Sequence, residues 1–251
     1  MFGARSSRLR ITAVVAVAGV GCLAATACSG TTAASLSVAP SASSTPDPLA
    51  GLSASKVIAE ADADALAAPS LTLDGTDKLQ GQNNTIDIGI KRGQGCTGSV
   101  ALGDQGSFKL IMIGKVVYLN PDAQFWKANA GANASAVTAL VNGRYLKLPA
   151  SDKKVAGLAA ICDASKLLDP GNGTFTRGKV TTLDGRRVLA IKVSDGSTSY
   201  VTDTSKPEYV EAIAPTGTKG GSGKAIVTVG APVTLAAPPA SQVIDGTTLG
   251  M

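Results

Sequence analysis

Two series of short segments that alternate between apolar and polar residues constrain the fold more than any other feature of this sequence. The first series covers residues 70–119. Residues 85–91 show the pattern best, because Ile86, Ile88 and Ile90 recur at every second position. The connections contain Gly and Asp and are too short to hold crossover helices. The pattern therefore predicts an antiparallel meander.

The second series covers residues 174–229 and predicts another run of antiparallel strands. Asp184-Gly185 and Asp195-Gly196 stand between its apolar segments, and Asp-Gly is a strong hairpin signal. Helical patterns lie before and between the two series. Three helices are expected over residues 53–67, 122–128 and 132–141. The order helix, strands, helices, strands is typical of an α+β fold dominated by its sheet.

A fourth helix is expected from residue 151 or 152 through 168. Val155, Leu158 and Cys162 have spacings of three, four and seven, which place them on one face of that helix. Cys162 is therefore expected to point towards whatever the helix covers.

The N-terminus has the three parts of an export signal. Arg5, Arg8 and Arg10 precede an apolar run over residues 11–21 that is too short to cross a bilayer. Small residues then lead to Cys28, which resembles the lipobox cysteine of bacterial lipoproteins. In such signals the cysteine is acylated and becomes the mature N-terminus. Cys22 is a competing position, and ordinary secretion with an incidental cysteine is the alternative.

These features divide the chain into three parts. Residues 1–27 are predicted to be the signal peptide, 28–51 a Ser/Thr/Pro-rich tether, and 52–251 the folded domain. We expect an exported monomer attached through its palmitate-type acyl anchor to the outer face of the cytoplasmic membrane.

Charge and composition argue against several functional classes. Removing the three signal arginines from the 23 basic residues leaves 20 against 18 acidic residues, a net charge of +2. No strong excess of Lys and Arg is clustered, so no nucleic-acid partner is expected. The chain has no histidine, which removes the usual catalytic base and the commonest metal ligand. We therefore predict no catalytic residues, no metal site, no cofactor and no enzymatic activity.

Two short segments resemble motifs of enzymes or phosphate-binding sites, but neither match is convincing. Ser53 and Lys56 match the S-x-x-K of penicillin-binding enzymes, but the same pattern recurs at residues 151–154. Residues 218–224 resemble a phosphate loop, yet Thr218 replaces the first glycine and Ala225 follows the lysine. We interpret that segment as a turn between strands.

Cys96 and Cys162 remain in the exported domain, where the environment permits disulfides. A bridge between them would close a 66-residue interval and stabilise the fold by about 3–4 kcal/mol. Two separately buried thiols are the alternative.

Three stretches carry a resemblance to a known family. They are residues 115–120 running into Phe125-Trp126, residues 143–149 before the Cys162 helix, and residues 232–238 with 241–244. Together with the lipobox, the tether and the order of elements, they make the chain similar to the LppX/LprG family of actinobacterial lipoproteins. These proteins are in turn similar to the LolA/LolB lipoprotein carriers.

The resemblance implies a curved antiparallel half-barrel, LolA-like, with helices packed on its concave face. In some family members the space between helices and sheet holds acyl chains, so a lipid or lipoglycan ligand is expected. The expected lining residues are Ile86, Ile88, Ile90, Leu110, Met112, Trp126, Val155 and Leu158. Trp126 has a second interpretation as a plain core anchor. The alternative function is an envelope scaffold or interaction protein with a filled core.

Overall fold

The computed structural model describes residues 47–79, 81–153, 155–168, 173–218 and 221–249. The predicted signal peptide, Cys28 and most of the predicted tether lie outside the described residues. Residues Thr45–Met251 form one compact unit. None of the helices in the described part of the chain has the length and hydropathy to span a bilayer.

A single twelve-stranded sheet dominates the fold. Its strands are β1 (Ser70–Leu79), β2 (Gln82–Lys91), β3 (Gly95–Leu102), β4 (Ser107–Ile113), β5 (Val116–Pro121), β6 (Tyr145–Pro149), β7 (Phe175–Leu183), β8 (Arg186–Val193), β9 (Thr198–Thr202), β10 (Tyr209–Thr218), β11 (Gly221–Val229) and β12 (Val243–Asp245). Their order is β12-β6-β5-β4-β3-β2-β1-β11-β10-β9-β8-β7.

The sheet consists of the two predicted meanders joined side by side. Strands β1 to β6 follow one another outward, β7 to β11 return from the opposite edge, and β11 pairs with β1. Every pairing is antiparallel except the parallel contact of β12 with β6. The sheet is open, with β7 and β12 as its edges, and helices cover one face. The expected α+β class with an open antiparallel sheet is confirmed.

In the described part of the chain, five α-helices accompany the sheet: α1 (Ala54–Ala67), α2 (Ala123–Asn129), α3 (Ala134–Val141), α4 (Ala156–Ile161) and α5 (Ala164–Leu167). Ser53 caps α1 as predicted, since its side chain accepts a hydrogen bond from the amide of Lys56 at 3.2 Å. The buried face of α1 consists of Ala54, Val57, Ile58, Ala61 and Ala65.

The single helix expected up to residue 168 is wrong, because the chain forms α4 and α5 with a break at Cys162 and Asp163. Asp163 adopts an extended backbone and accepts a hydrogen bond from the amide of Ser165 at 3.0 Å. It therefore starts a new helix rather than continuing the old one. The three residues predicted to face inward do so despite the break, since Val155 and Cys162 are buried and Leu158 packs against the same core.

The folded part begins earlier than the residue 52 that the sequence indicates. Leu49 is fully buried against α1 and the second half of the sheet. Arg177 on β7 donates a hydrogen bond to the Leu49 carbonyl at 3.1 Å and pairs with Asp47 at 2.6 Å. A single strand residue therefore fixes the point where the chain enters the domain.

Two hydrophobic cores lie side by side on the helix-covered inner face. The first joins β1 to β6 with α2, α3 and the segment around α4. The second joins α1 and Leu49 to β8 through β11. Ile86 and Leu168 pack against both cores, so they lie at the boundary between the two halves.

The C-terminal segment crosses the opposite, outer face. Gly89 alternates with the buried Ile88 and Ile90 and so faces outward, and a Cβ built there would lie 3.0 Å from Val233. Ser70 donates a hydrogen bond to the Ala231 carbonyl at 2.5 Å. This segment carries the chain from β11 to β12 at the far edge.

Candidate ligand cavity

A cavity of about 550 Å³ lies on the inner face of the sheet at the end where β1 and β10 finish. Its walls include Ile86, Val100 and Leu102 on one side and Ser197, in the turn between β8 and β9, on the other. Four strands separate β3 from β9 in the sheet. Because residues so far apart line one space, the sheet curls around the cavity.

The cavity exists because its floor lacks side chains. Cross-strand pairing places Ala212, Ala225, Gly75, Ile86 and Val100 in one row across five neighbouring strands. In the neighbouring row of inward-facing positions, large side chains form part of the core. Ala212, Ala225 and Gly75 have no such side chains, so they leave the inner face unfilled at this end of the sheet. A Cβ built on Gly75 would lie 2.8 Å from the Ile86 side chain, which indicates that glycine is needed to seat Ile86.

Polar groups surround this apolar floor at the mouth of the cavity. Asn84 donates a hydrogen bond to the Asp77 carboxylate at 2.6 Å, and both side chains line the cavity. Ser197 adds a hydroxyl group. The site thus combines an apolar interior with a few hydrogen-bonding groups at its edge, as small-molecule sites do.

A second cavity of about 360 Å³ opens at the other end of the inner face, between the end of α1 and the start of α5. Its floor includes Leu71, Ile90 and Met112, and Cys162 forms part of its wall. Lys91 and Arg92 lie at its rim.

Two rim groups of the second cavity are fixed by hydrogen bonds. The Arg92 guanidinium donates to the Ala67 carbonyl at 2.6 Å, which ties the β2–β3 turn to the end of α1. On the opposite rim, the hydrogen bond from the Ser165 hydroxyl lowers the pKa of the Asp163 carboxyl. Asp163 therefore stays ionised at neutral pH.

Between the two cavities the interior is packed. Ile88 and Leu110 are fully buried, and Trp126 and Val155 belong to the same core. Leu158 is half-buried against that core.

The eight residues predicted to line a cavity therefore separate into three sets. Ile86 lines the larger cavity, while Ile90 and Met112 line the smaller one. The other five side chains fill or cover the space between them.

The disulfide predicted from the two exported cysteines is present in the structure. It joins Cys96 on β3 to Cys162 at the break between α4 and α5, with Cα atoms 5.3 Å apart. The bond fastens the helical cover to the sheet beside the smaller cavity. Among the described residues, no group of three or more Cys, Asp or Glu side chains is placed to hold a metal ion.

The small residues of the floor were missed in the sequence because a search for bulky apolar positions passes over them. One signal was available. Leu71 and Leu73 establish an alternation in β1, and Gly75 continues it without a side chain. A glycine at an inward position of a strand often marks a close approach or an open space.

The fold and cavity define a class of protein: an open antiparallel sheet that curls around an apolar space, with helices on its inner face. Among solved structures, the chain is similar to LprF from Mycobacterium bovis. The TM-score is 0.51 and the sequence identity 13%, over 74% of this chain and 96% of that chain. This likeness confirms the predicted LppX/LprG resemblance at the level of the fold.

Two further similarities are weaker. The MucA/MucB complex of Pseudomonas aeruginosa matches with a TM-score of 0.34 and 12% identity, over 75% of this chain and 59% of that chain. The LolA superfamily protein NE2245 from Nitrosomonas europaea matches with a TM-score of 0.25 and 10% identity, over 76% and 96%. Neither carries an argument about this chain. No family model and no curated protein matches the sequence.

Proposed function

We propose that this chain is a lipid-anchored envelope protein that binds the acyl chains of a lipid or lipoglycan in the larger cavity. The observation that carries the proposal is the floor of Gly75, Ala212 and Ala225, which leaves an apolar space of about 550 Å³ at one end of the inner face. That volume lies within the usual range for small-molecule sites.

The energetics favour an acyl chain as the occupant. Each methylene removed from water contributes about 0.8 kcal/mol, so several methylenes against this floor would bind appreciably. Ile86, Val100 and Leu102 offer apolar contacts along the wall. The Asp77–Asn84 pair and Ser197 offer hydrogen bonds to a polar headgroup at the mouth.

The role is proposed to be binding or transfer rather than catalysis. The chain contains no histidine. Among the described residues that line the larger cavity there is no Cys, Tyr or Glu, and the Asp77 carboxylate accepts a hydrogen bond from Asn84. Attachment through acylated Cys28, at the outer face of the cytoplasmic membrane, would hold the cavity near its source of lipid.

The test is native mass spectrometry of residues 45–251, exported from a membrane-containing host, followed by organic extraction. We expect a mass excess of several hundred daltons that extracts as lipid. Ala225→Leu should lower the occupied fraction because it fills the floor. Ala63→Leu, on the exposed face of α1, is the matched control and should retain the lipid.

The packed space between the cavities favours a second candidate, an interaction protein whose partner binds the outer surface. Ile88 and Leu110 leave no room at the centre of the first core. A clean apo mass that persists after incubation with envelope lipids would overturn the carrier proposal and favour this one.

A further inference from the structure

The polar side chains at the mouth of the larger cavity donate hydrogen bonds to carboxylates. Asn84 donates a side-chain N–H to the Asp77 carboxylate at 2.6 Å. The Ser197 hydroxyl donates to the Asp195 carboxylate at 2.7 Å, and the Ser197 backbone amide donates to the same oxygen at 2.8 Å. The groups that remain for a ligand are therefore mostly acceptors: the carboxylate oxygens, the Asn84 amide oxygen and the Ser197 hydroxyl oxygen.

The two carboxylates approach the mouth from different parts of the sheet. Asp77 lies near the end of β1 and lines the cavity itself. Asp195 lies in the turn between β8 and β9, hydrogen-bonded to the lining residue Ser197. The hydrogen bond from the Ser197 hydroxyl lowers the pKa of the Asp195 carboxyl, so this group is ionised at neutral pH. A ligand headgroup at the mouth would thus meet acceptor oxygens from both β1 and the β8–β9 turn.

No described cation offsets the charge of these carboxylates. None of the salt bridges between described residues includes Asp77 or Asp195. Lys224 borders the cavity, but it alternates with the inward-facing Gly223 and Ala225 and so points to the outer face of the sheet. Charges of one sign at a cleft with apolar walls concentrate the electric field there and attract ligands of the opposite sign.

We propose that the larger cavity selects amphiphiles with a cationic amine headgroup, and that Asp77 and Asp195 accept hydrogen bonds from the ammonium group. The inference rests on the proposed function, because it assigns a headgroup to the acyl chain bound on the floor. An ammonium group has donors only and a positive charge, so it complements these acceptors. A phosphate group offers mainly acceptors and a negative charge, so it would be repelled. A neutral sugar has donors and acceptors, and we expect it to be intermediate.

The test compares three amphiphiles that share a dodecyl chain: dodecylammonium, dodecyl maltoside and dodecyl phosphate. Their binding to residues 45–251 is measured by isothermal titration calorimetry at neutral pH and low salt, below the micelle concentration of each. We expect dodecylammonium to bind about tenfold more tightly than dodecyl phosphate, since each of two exposed charge pairs contributes up to about fivefold. High salt should reduce the difference. Equal affinities, or tighter binding of the phosphate, would overturn the proposal.

Neutral variants of the two carboxylates test which residues give the preference. Asp77→Asn and Asp195→Asn keep the shape and one acceptor oxygen, and each should reduce the preference for amine over phosphate about threefold. Asp184→Asn is the matched control, because it removes an exposed carboxylate from the β7–β8 turn at the opposite end of β8. It should retain the preference. An equal change in all three variants, or none in the first two, would contradict recognition at the mouth.

Ala225→Leu, which fills the floor of the cavity, separates this inference from the proposed function. We expect it to weaken binding of all three amphiphiles and to leave their order unchanged. If it weakens all three but the headgroups bind alike in the parent, the cavity binds chains and the headgroup assignment alone is wrong. If none of the amphiphiles binds the parent, or Ala225→Leu changes no affinity, the proposed function fails and this inference fails with it.

Discussion

Leu49 gives the sharpest test of stability, because the sequence assigns it to the tether and the structure buries it completely. Its side chain belongs to the second core with Val57 and Leu189. Leu49→Ala removes this packing and leaves a void, so we expect the free energy of unfolding to fall by about 2–5 kcal/mol. For a domain of this size, each kcal/mol shifts the melting temperature by about 2–4 °C.

Thermal unfolding of residues 45–251, followed by circular dichroism, should therefore show a melting temperature roughly 5–15 °C lower for Leu49→Ala. Leu140→Ala is the matched control. Its side chain is half exposed, so a loss of about 0.5 kcal/mol or less is expected.

A shortened protein tests the contribution of Leu49 without introducing a substitution. A domain that starts at Leu52 lacks both Leu49 and the Asp47 carboxylate that pairs with Arg177. It should melt no higher than Leu49→Ala. If residues 52–251 and 45–251 melt at the same temperature, Leu49 contributes nothing to the core and the reasoning is refuted.

Two further predictions concern the helical cover. Replacing Cys96 and Cys162 by serine should lower the free energy of unfolding by about 3–4 kcal/mol, measured by urea denaturation against the oxidised protein; an unchanged midpoint would contradict a stabilising bridge. The lowered pKa of Asp163 means that its contribution is present above the unfolded-state value near 3.9 and is lost as pH falls through the lower folded-state value. Melting temperature from about pH 5 to about pH 2 should fall more steeply for the parent than for Asp163→Asn, and parallel curves would exclude this role.

Short sequence patterns predicted those helices and turns that are stabilised by interactions between residues close together in the chain. The cap and length of α1 follow from Ser53 and a strict apolar spacing. The Asp184-Gly185 hairpin follows from a turn that needs positive φ at both residues, and the structure has 47° and 77° there. The break at Asp163 was not predicted from the sequence, because the apolar helical pattern continues past this residue. The Asp163 side chain instead caps a new helix, and this cap competes with continuation of the first one.

The cavity could not be predicted from one strand, because it arises from the register of five. Gly75, Ala225 and Ala212 are unremarkable in separate segments and form a floor only when pairing aligns them. The burial of Leu49 has the same origin. It depends on Arg177, which lies 128 residues away in the chain, and no spacing rule connects positions so far apart.

Strand β1 carries both core residues and residues that line the larger cavity. Leu71 and Leu73 face inward and belong to the two cores, whereas Gly75 and Asp77 continue the same face and line the larger cavity. The side-chain period of two therefore places packing residues and cavity residues on one surface, separated only by distance along the strand. Because the packed rows resist rearrangement, the small-residue floor can remain open without the sheet collapsing onto it. The disulfide lies beside the smaller cavity, so the helical cover is fixed there while the mouth of the larger cavity stays free of that constraint.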